Sequence, residues 1–193
     1  MLSVGLSACA IKGPQRPHRT GLWGEIAGGG GSMKMTCSTC TDPINAPGGT
    51  GMTRIGGTLS DQVMLGAETA IFTDEAFEIA LGDSNSVVAE LETVGVVVLW
   101  FPWRAGFFLK GGVSLAQGRF TIDNGALPPD SLEHTGVGMS FGVGWDVPIS
   151  RRFAITGNAG TYVTAIGDIV LPSRRVEDVI GTMWQFTAGI TFR

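Results

Sequence analysis

The stretch Thr135–Pro148, TGVGMSFGVGWDVP, constrains this chain more than any other. Val137, Met139, Phe141, Val143, Trp145 and Val147 hold its odd positions, and Gly138, Ser140, Gly142, Gly144 and Asp146 stand between them. A period of two sends alternate residues to opposite faces of a strand. One face is bulky and wholly apolar; the other is glycine and small polar groups. A water-soluble sheet also buries an apolar face, but its other face usually carries Lys, Glu and Thr that meet solvent. Bare backbone suits a crowded interior, and a bulky apolar face suits lipid. Val137–Val147 also matches the ~9–11 residues with which a tilted strand crosses a bilayer. The stretch predicts a membrane-crossing strand whose small face lines a narrow barrel.

Composition agrees with that reading. Glycine supplies 30 of 193 residues, twice the usual share of about 7%, without any collagen-like triplet. Charged residues are 16% of the chain, below the usual share of about 25%, as if a solvated face were missing. The net charge of −4 argues against a nucleic-acid partner, which needs a basic patch. The longest apolar run, Val94–Trp103, falls far short of the ~20 residues of a membrane helix. A membrane protein without such helices must be a closed barrel, since lipid leaves no backbone group unpaired without cost.

Residues 1–10, MLSVGLSACA, read as the remnant of a secretory signal, with Ala8-Cys9-Ala10 as the small-residue cleavage pattern. Leu6-Ser7-Ala8-Cys9 alternatively forms a lipobox that would make Cys9 a lipid-bearing terminus, and a meaningless apolar start is the third reading. Residues 11–20, IKGPQRPHRT, read as a basic periplasmic linker. Residues 21–193 then divide into eight strand-like stretches: Gly21–Thr36, Met52–Leu59, Val63–Phe72, Val87–Phe101, Gly106–Ile122, Val137–Val147, Phe153–Ile166 and Val179–Arg193. Short turns alternate with longer polar connections, Cys37–Gly51, Thr73–Ser86, Asp123–Gly136 and Gly167–Asp178. Outer-membrane barrels have short periplasmic turns and long outer loops, so an even strand number puts both termini on the periplasmic side. Trp100, Phe101, Trp103, Phe107, Trp145, Phe153 and Phe192 lie near the short turns, as an interfacial girdle should. Two stretches fit less simply. Glu90 and Glu92 share a face with Val94, Val96, Val98 and Trp100, so either a bulge near Thr93 flips the register or part of the lumen is apolar. Asp74–Leu81 has the pattern of a short loop helix.

In the last strand Ile180, Thr182, Trp184, Phe186, Ala188, Ile190 and Phe192 share one face. Here the chain resembles the small eight-stranded outer-membrane barrels of the OmpA and OmpX kind, whose final strand ends on an aromatic with apolar residues at every second position before it. In this sequence Arg193 follows that aromatic. The resemblance implies an all-β, eight-stranded antiparallel up-and-down transmembrane barrel in a bacterial outer membrane. It also implies that the barrel-assembly machinery reads Trp184, Phe186, Ile190 and Phe192. It carries over no function. Such a barrel is filled by side chains, so the sequence predicts a monomer in outer-membrane lipid with no cofactor. Its role would be structural, or surface interaction with an unknown extracellular ligand.

Charges within the strands carry the sharpest expectation. A turn centred near Asp61 sets Arg54 opposite Glu68, and alternation puts both on the small face; Lys110, and Glu25 on the first strand, follow the same parity. A lipid-facing charge at mid-depth would cost about 2–4 kcal/mol, so these groups belong inside as a lumen network built on an Arg54–Glu68 ion pair. In the first long connection Cys37 and Cys40 favour a local disulfide, with unpaired thiols or metal or redox chemistry as the other readings. Among the remaining residues, His18 lies in the linker. Asp74, Glu75, Glu78, Asp83, Asp123, Asp130 and Glu133 make the connections acidic, which reads as solvated loops or, more rarely, cation sites. A lipid A-modifying enzyme around His134, with Ser131 and Glu133, is the second functional reading; it needs an irregular loop, because residues three apart on a strand face opposite ways. A soluble lipocalin-like barrel with its apolar face inward is the third.

Overall fold

The computed structural model describes residues 21–38, 44–74, 86–103, 106–123, 130–170 and 175–193. The signal and linker readings, with Cys9 and His18, lie outside the described residues, as does the expected loop helix beyond Asp74. Eight antiparallel strands, β1 (Leu22–Thr36), β2 (Ile44–Ser60), β3 (Val63–Asp74), β4 (Ser86–Trp100), β5 (Phe107–Asp123), β6 (Asp130–Pro148), β7 (Phe153–Val170) and β8 (Arg175–Phe192), form a closed barrel in chain order. β1 pairs with β8 from Gly24↔Phe192 to Thr36↔Ile180, so no edge strand is left open.

Closure tilts the strands. A pairing row leaving Gly28 through β2 reaches Thr135 of β6; leaving through β8 it reaches Trp145 of that strand, ten residues away. That stagger is what a narrow barrel of steeply tilted strands requires.

The bulky face of Thr135–Pro148 is outside. Val137 is 63% exposed, Phe141 52% and Trp145 53%, while Ser140 and Asp146 between them are buried. Ile26, Ile55, Val96, Val113, Ile155 and Ile190 continue the exposed apolar wall around the barrel. Water would penalise so large a patch and lipid would not. This orientation is the reverse of the lipocalin-like reading, in which the apolar face would line a ligand cavity.

The strands are longer than apolar alternation alone suggests. β2 starts at Ile44, β6 at Asp130, β7 ends at Val170 and β8 starts at Arg175, so much of the expected loop sequence is strand. Backbone pairing needs no apolar side chain, and above the lipid the outward positions turn polar while the ladder continues. Pro47 stands where β2 pairs with β1 alone, β3 joining at Gly49↔Thr73, so its missing N–H interrupts no second ladder. No bulge occurs near Thr93; β4 keeps one register from Ser86 to Trp100 against β5. The lumen beside β4 is apolar, but not through the face that either reading turned inward: Val94, Val96, Val98 and Trp100 are exposed on the outer wall with Glu92. Leu91, Val97 and Leu99 are the buried ones. Phe101 departs from the girdle: it is buried against Phe108, with ring centroids 5.2 Å apart, because the chain leaving β4 folds under the barrel mouth.

Candidate functional site

The lumen is built in layers. Towards the long connections Met33, Ala46, Ala70, Phe72, Leu91, Ala116, Tyr162 and Met183 form a buried apolar layer to which every strand but β6 contributes. Towards the short turns Trp23, Met64, Val97, Leu99, Phe101 and Phe108 fill the side of the lumen belonging to β1 and β3–β5. Between these layers lies a cluster of charge.

Glu25, Arg54 and Glu68 occupy one pairing row across β1, β2 and β3. The turn at Asp61 and Gln62 sets that register, and the side-chain period turns all three inward. The Arg54 guanidinium donates to Glu68 Oε2 through Nε, to Glu25 Oε2 through an Nη at 3.1 Å, and to Asn158 Oδ1 at 3.2 Å. Asn158 Nδ2 in turn donates to Glu25 Oε1 at 2.7 Å. Lys110 reaches across from β5 to Glu68 Oε1 at 3.0 Å and to the Tyr162 hydroxyl at 2.8 Å. That hydroxyl donates to Glu68 Oε1 at 2.6 Å and accepts from Gln185 Nε2 at 3.3 Å. Two carboxylates thus meet two cations, and all four side chains are buried. Burial of this kind is tolerable only when each charge is paired and its remaining hydrogen-bonding groups are met.

The glycine face makes room for the cluster. The Lys110 stem passes between Gly142 and Gly160: a Cβ at Gly142 would lie 3.4 Å from Lys110 Cε, and one at Gly160 3.8 Å from it. At the short-turn end, on the side of β6–β8, a second buried group joins Asp146, Thr156, Thr191 and Arg193. Thr156 Oγ1 donates to Asp146 Oδ1 at 2.7 Å and lies 2.6 Å from Thr191 Oγ1, and the Arg193 guanidinium meets Asp146 Oδ2.

Comparison with known proteins fits this geometry. Neither a protein-family profile nor a curated protein matches the sequence. Among solved structures, Ail, the attachment invasion locus protein of Yersinia pestis, superposes with a TM-score of 0.59 at 14% identity over 89% of this chain and 99% of its own. Neisserial surface protein A superposes with a TM-score of 0.55 at 15% identity over 90% of this chain and 97% of its own. The chain has the fold of the small eight-stranded outer-membrane barrels.

In this outer-membrane-type barrel the other candidate residues fall in separate places. Cys37 is disulfide-bonded; Cys40 lies outside the described residues. His134 is half-buried on the lumen side of β6, and β6 already runs as strand from Asp130, so the irregular loop required to join Ser131 to His134 is not there. Trp184, Phe186, Ile190 and Phe192 all face outward on β8. Trp103, Phe107 and Trp145 stack in series near the short turns, with centroids 5.3 and 6.1 Å apart. Sequence reasoning had not singled out Asn158, Tyr162 or the Asp146–Arg193 pair. Parity was the available signal: Asn158 and Tyr162 share the inward face of β7 with Thr156 and Thr164.

Proposed function

We propose that this protein is a bacterial outer-membrane barrel with a lumen closed by its own side chains, serving a structural or surface-interaction role rather than transport or catalysis. The observation that carries this is the neutral Glu25–Arg54–Glu68–Lys110 network held beneath an apolar layer drawn from seven strands. An ion crossing would have to break paired charges and then enter a region that cannot solvate it. The described termini lie at the short-turn end, which corresponds to the periplasmic side in such barrels. The outward pattern of Trp184, Phe186, Ile190 and Phe192 fits the assembly signal, and a single closed barrel fits a monomer.

The loop-side end would carry any interaction. The Ail structure contains the heparin analogue sucrose octasulfate, an anionic ligand. The described outer wall here places Glu90, Glu92 and Glu133 against Lys34 and Arg119, and the chain carries a net −4, so a polyanion is not the partner we propose. Purified, heat-modifiable protein in planar bilayers tests the closed lumen. The expected record is free of stable channels, and reproducible wild-type conductance that changes with Arg54→Ala or Glu68→Ala would overturn it.

A further inference from the structure

Five of the chain's seven methionines turn into the lumen: Met33, Met52, Met64 and Met183 are buried, and Met35 is half-buried on the same face of β1 as Met33. Three of them meet in the layer towards the long connections. Met33 and Met183 are direct cross-strand partners on β1 and β8, and Met35 packs against the cluster that holds both.

Methionine fills irregular gaps in many cores, but here a nitrogen joins it. The ten-residue stagger of the barrel, shared among eight strands, sets His134 of β6 at the height of Met35 on β1. His134 lies on the lumen side, and its Nε2 is buried without a hydrogen-bond partner. Cys37, two residues beyond Met35, is disulfide-bonded, so its sulfur is not a thiolate that would compete. Among the described residues no three His, Cys, Asp or Glu side chains converge, so nothing here suits a hard Ca2+ or a tetrahedral Zn2+. Three polarizable thioethers and an unpartnered imidazole nitrogen are instead a soft ligand set.

We propose that this layer binds one soft monovalent cation of the Cu+ and Ag+ class, held by the thioethers of Met33, Met35 and Met183 and by His134 Nε2. Thioether and imidazole ligands suit such ions, and the unbranched methionine stems can bend to meet one. Asp74, buried at the end of β3, supplies a negative charge at the same end of the lumen. Half-buried Met35 and His134 open the site towards the long connections, while the charged network beneath stays closed. Hydrated hard ions gain nothing from thioethers, so the layer remains a barrier to them.

The test uses the full chain, folded in maltoside micelles with its free thiols alkylated, in chloride-free buffer. It is titrated separately with Ag+ and Zn2+ and followed by native mass spectrometry. One Ag+ per barrel should be retained, and Zn2+ should not compete for it. Met33→Leu with Met183→Leu keeps the packing volume, a kind of swap that cores tolerate well, and should weaken Ag+ retention at least several-fold. Met35→Leu, in its half-buried position, and His134→Ala should each weaken it too, with heat-modifiable mobility reporting the fold. Met64→Leu, in the layer near the short turns, should leave retention unchanged. Absence of stoichiometric Ag+, retention untouched by Met35→Leu or by His134→Ala, an equal loss in Met64→Leu, or displacement of Ag+ by Zn2+ would each overturn the site.

Discussion

The ring of Phe108 on β5 occupies the space that a side chain at Gly144 on β6 would need; a Cβ built on Gly144 falls among the ring atoms. The two residues are direct cross-strand partners. This relationship explains why the small face of Thr135–Pro148 is glycine where it is. β6 yields its share of the lumen so that β5 can bring a ring and a lysine across it.

Gly144→Leu should therefore block folding or destabilise the barrel, since overpacking a filled core costs about 1–3 kcal/mol and occasionally more. Gly157→Ala is the control: Gly157 faces outward and nothing lies within 4 Å of its notional Cβ. Heat-modifiable gel mobility and urea midpoints in detergent check both. A Gly144→Leu barrel as stable as Gly157→Ala would refute the packing argument.

Arg54 and Glu68 should be coupled. Arg54→Ala alone leaves Glu25 in the lumen with Asn158 but no described cation, and Glu68 with Lys110 as its remaining cation; breaking a buried pair from one side costs about 3–5 kcal/mol. In a double-mutant cycle with Glu68→Ala, contacting residues give interaction energies of about 0.5–3 kcal/mol. Urea unfolding in detergent gives the four corners. Losses that simply add would show two inward charges with no mutual stabilisation.

Tyr162→Phe keeps the ring in the apolar layer and removes the hydroxyl shared by Lys110, Glu68 and Gln185. A buried hydrogen-bonding group left unsatisfied costs about 1–3 kcal/mol, so a loss of that size is expected although the substitution removes one atom. Urea midpoints in detergent for the wild type and the variant check it. A Tyr162→Phe barrel as stable as the wild type would show that the hydroxyl contributes none of these contacts.

These residues also show how far a sequence of this kind can be read. The Arg54–Glu68 register followed from a short turn and strict alternation, because both operate within one hairpin. Tyr162 and Asn158 were hidden because their partners lie 94 and 104 residues away in sequence. Only the closure of the barrel sets β7 across from β2 and β3. Strand ends were misread for a related reason: apolar alternation stops at the edge of the lipid, while the hydrogen-bond ladder of β6 continues back to Asp130. Phe101 looked like its girdle neighbours because nothing local marks which aromatic turns beneath the mouth.

Asp146 and Arg193 form an ion pair at the short-turn rim of the barrel. Their contact joins the end of β8 to β6 across β7, and the two partners are not equivalent. Asp146 is 4% exposed and held by Thr156, so its carboxylate has nowhere to go; the Arg193 side chain lies at the barrel rim with 10% of its surface exposed. Long cationic side chains can carry their charge out to water while leaving their stems behind. Arg193→Ala should therefore be the more damaging change, because it abandons a buried carboxylate, and a loss near the range of about 3–5 kcal/mol for a one-sided break applies. Asp146→Asn keeps a hydrogen-bonding group for Thr156 and releases Arg193 towards solvent, so its cost should be smaller. The double variant should recover part of the Arg193→Ala loss, since the stranded charge is then gone. Urea unfolding of the three variants in detergent gives the ordering, and amide exchange at β8 shows whether the last strand loosens first. If Asp146→Asn proved the worse change, or the double variant were no better than Arg193→Ala, the contact would not be the buried latch its geometry describes.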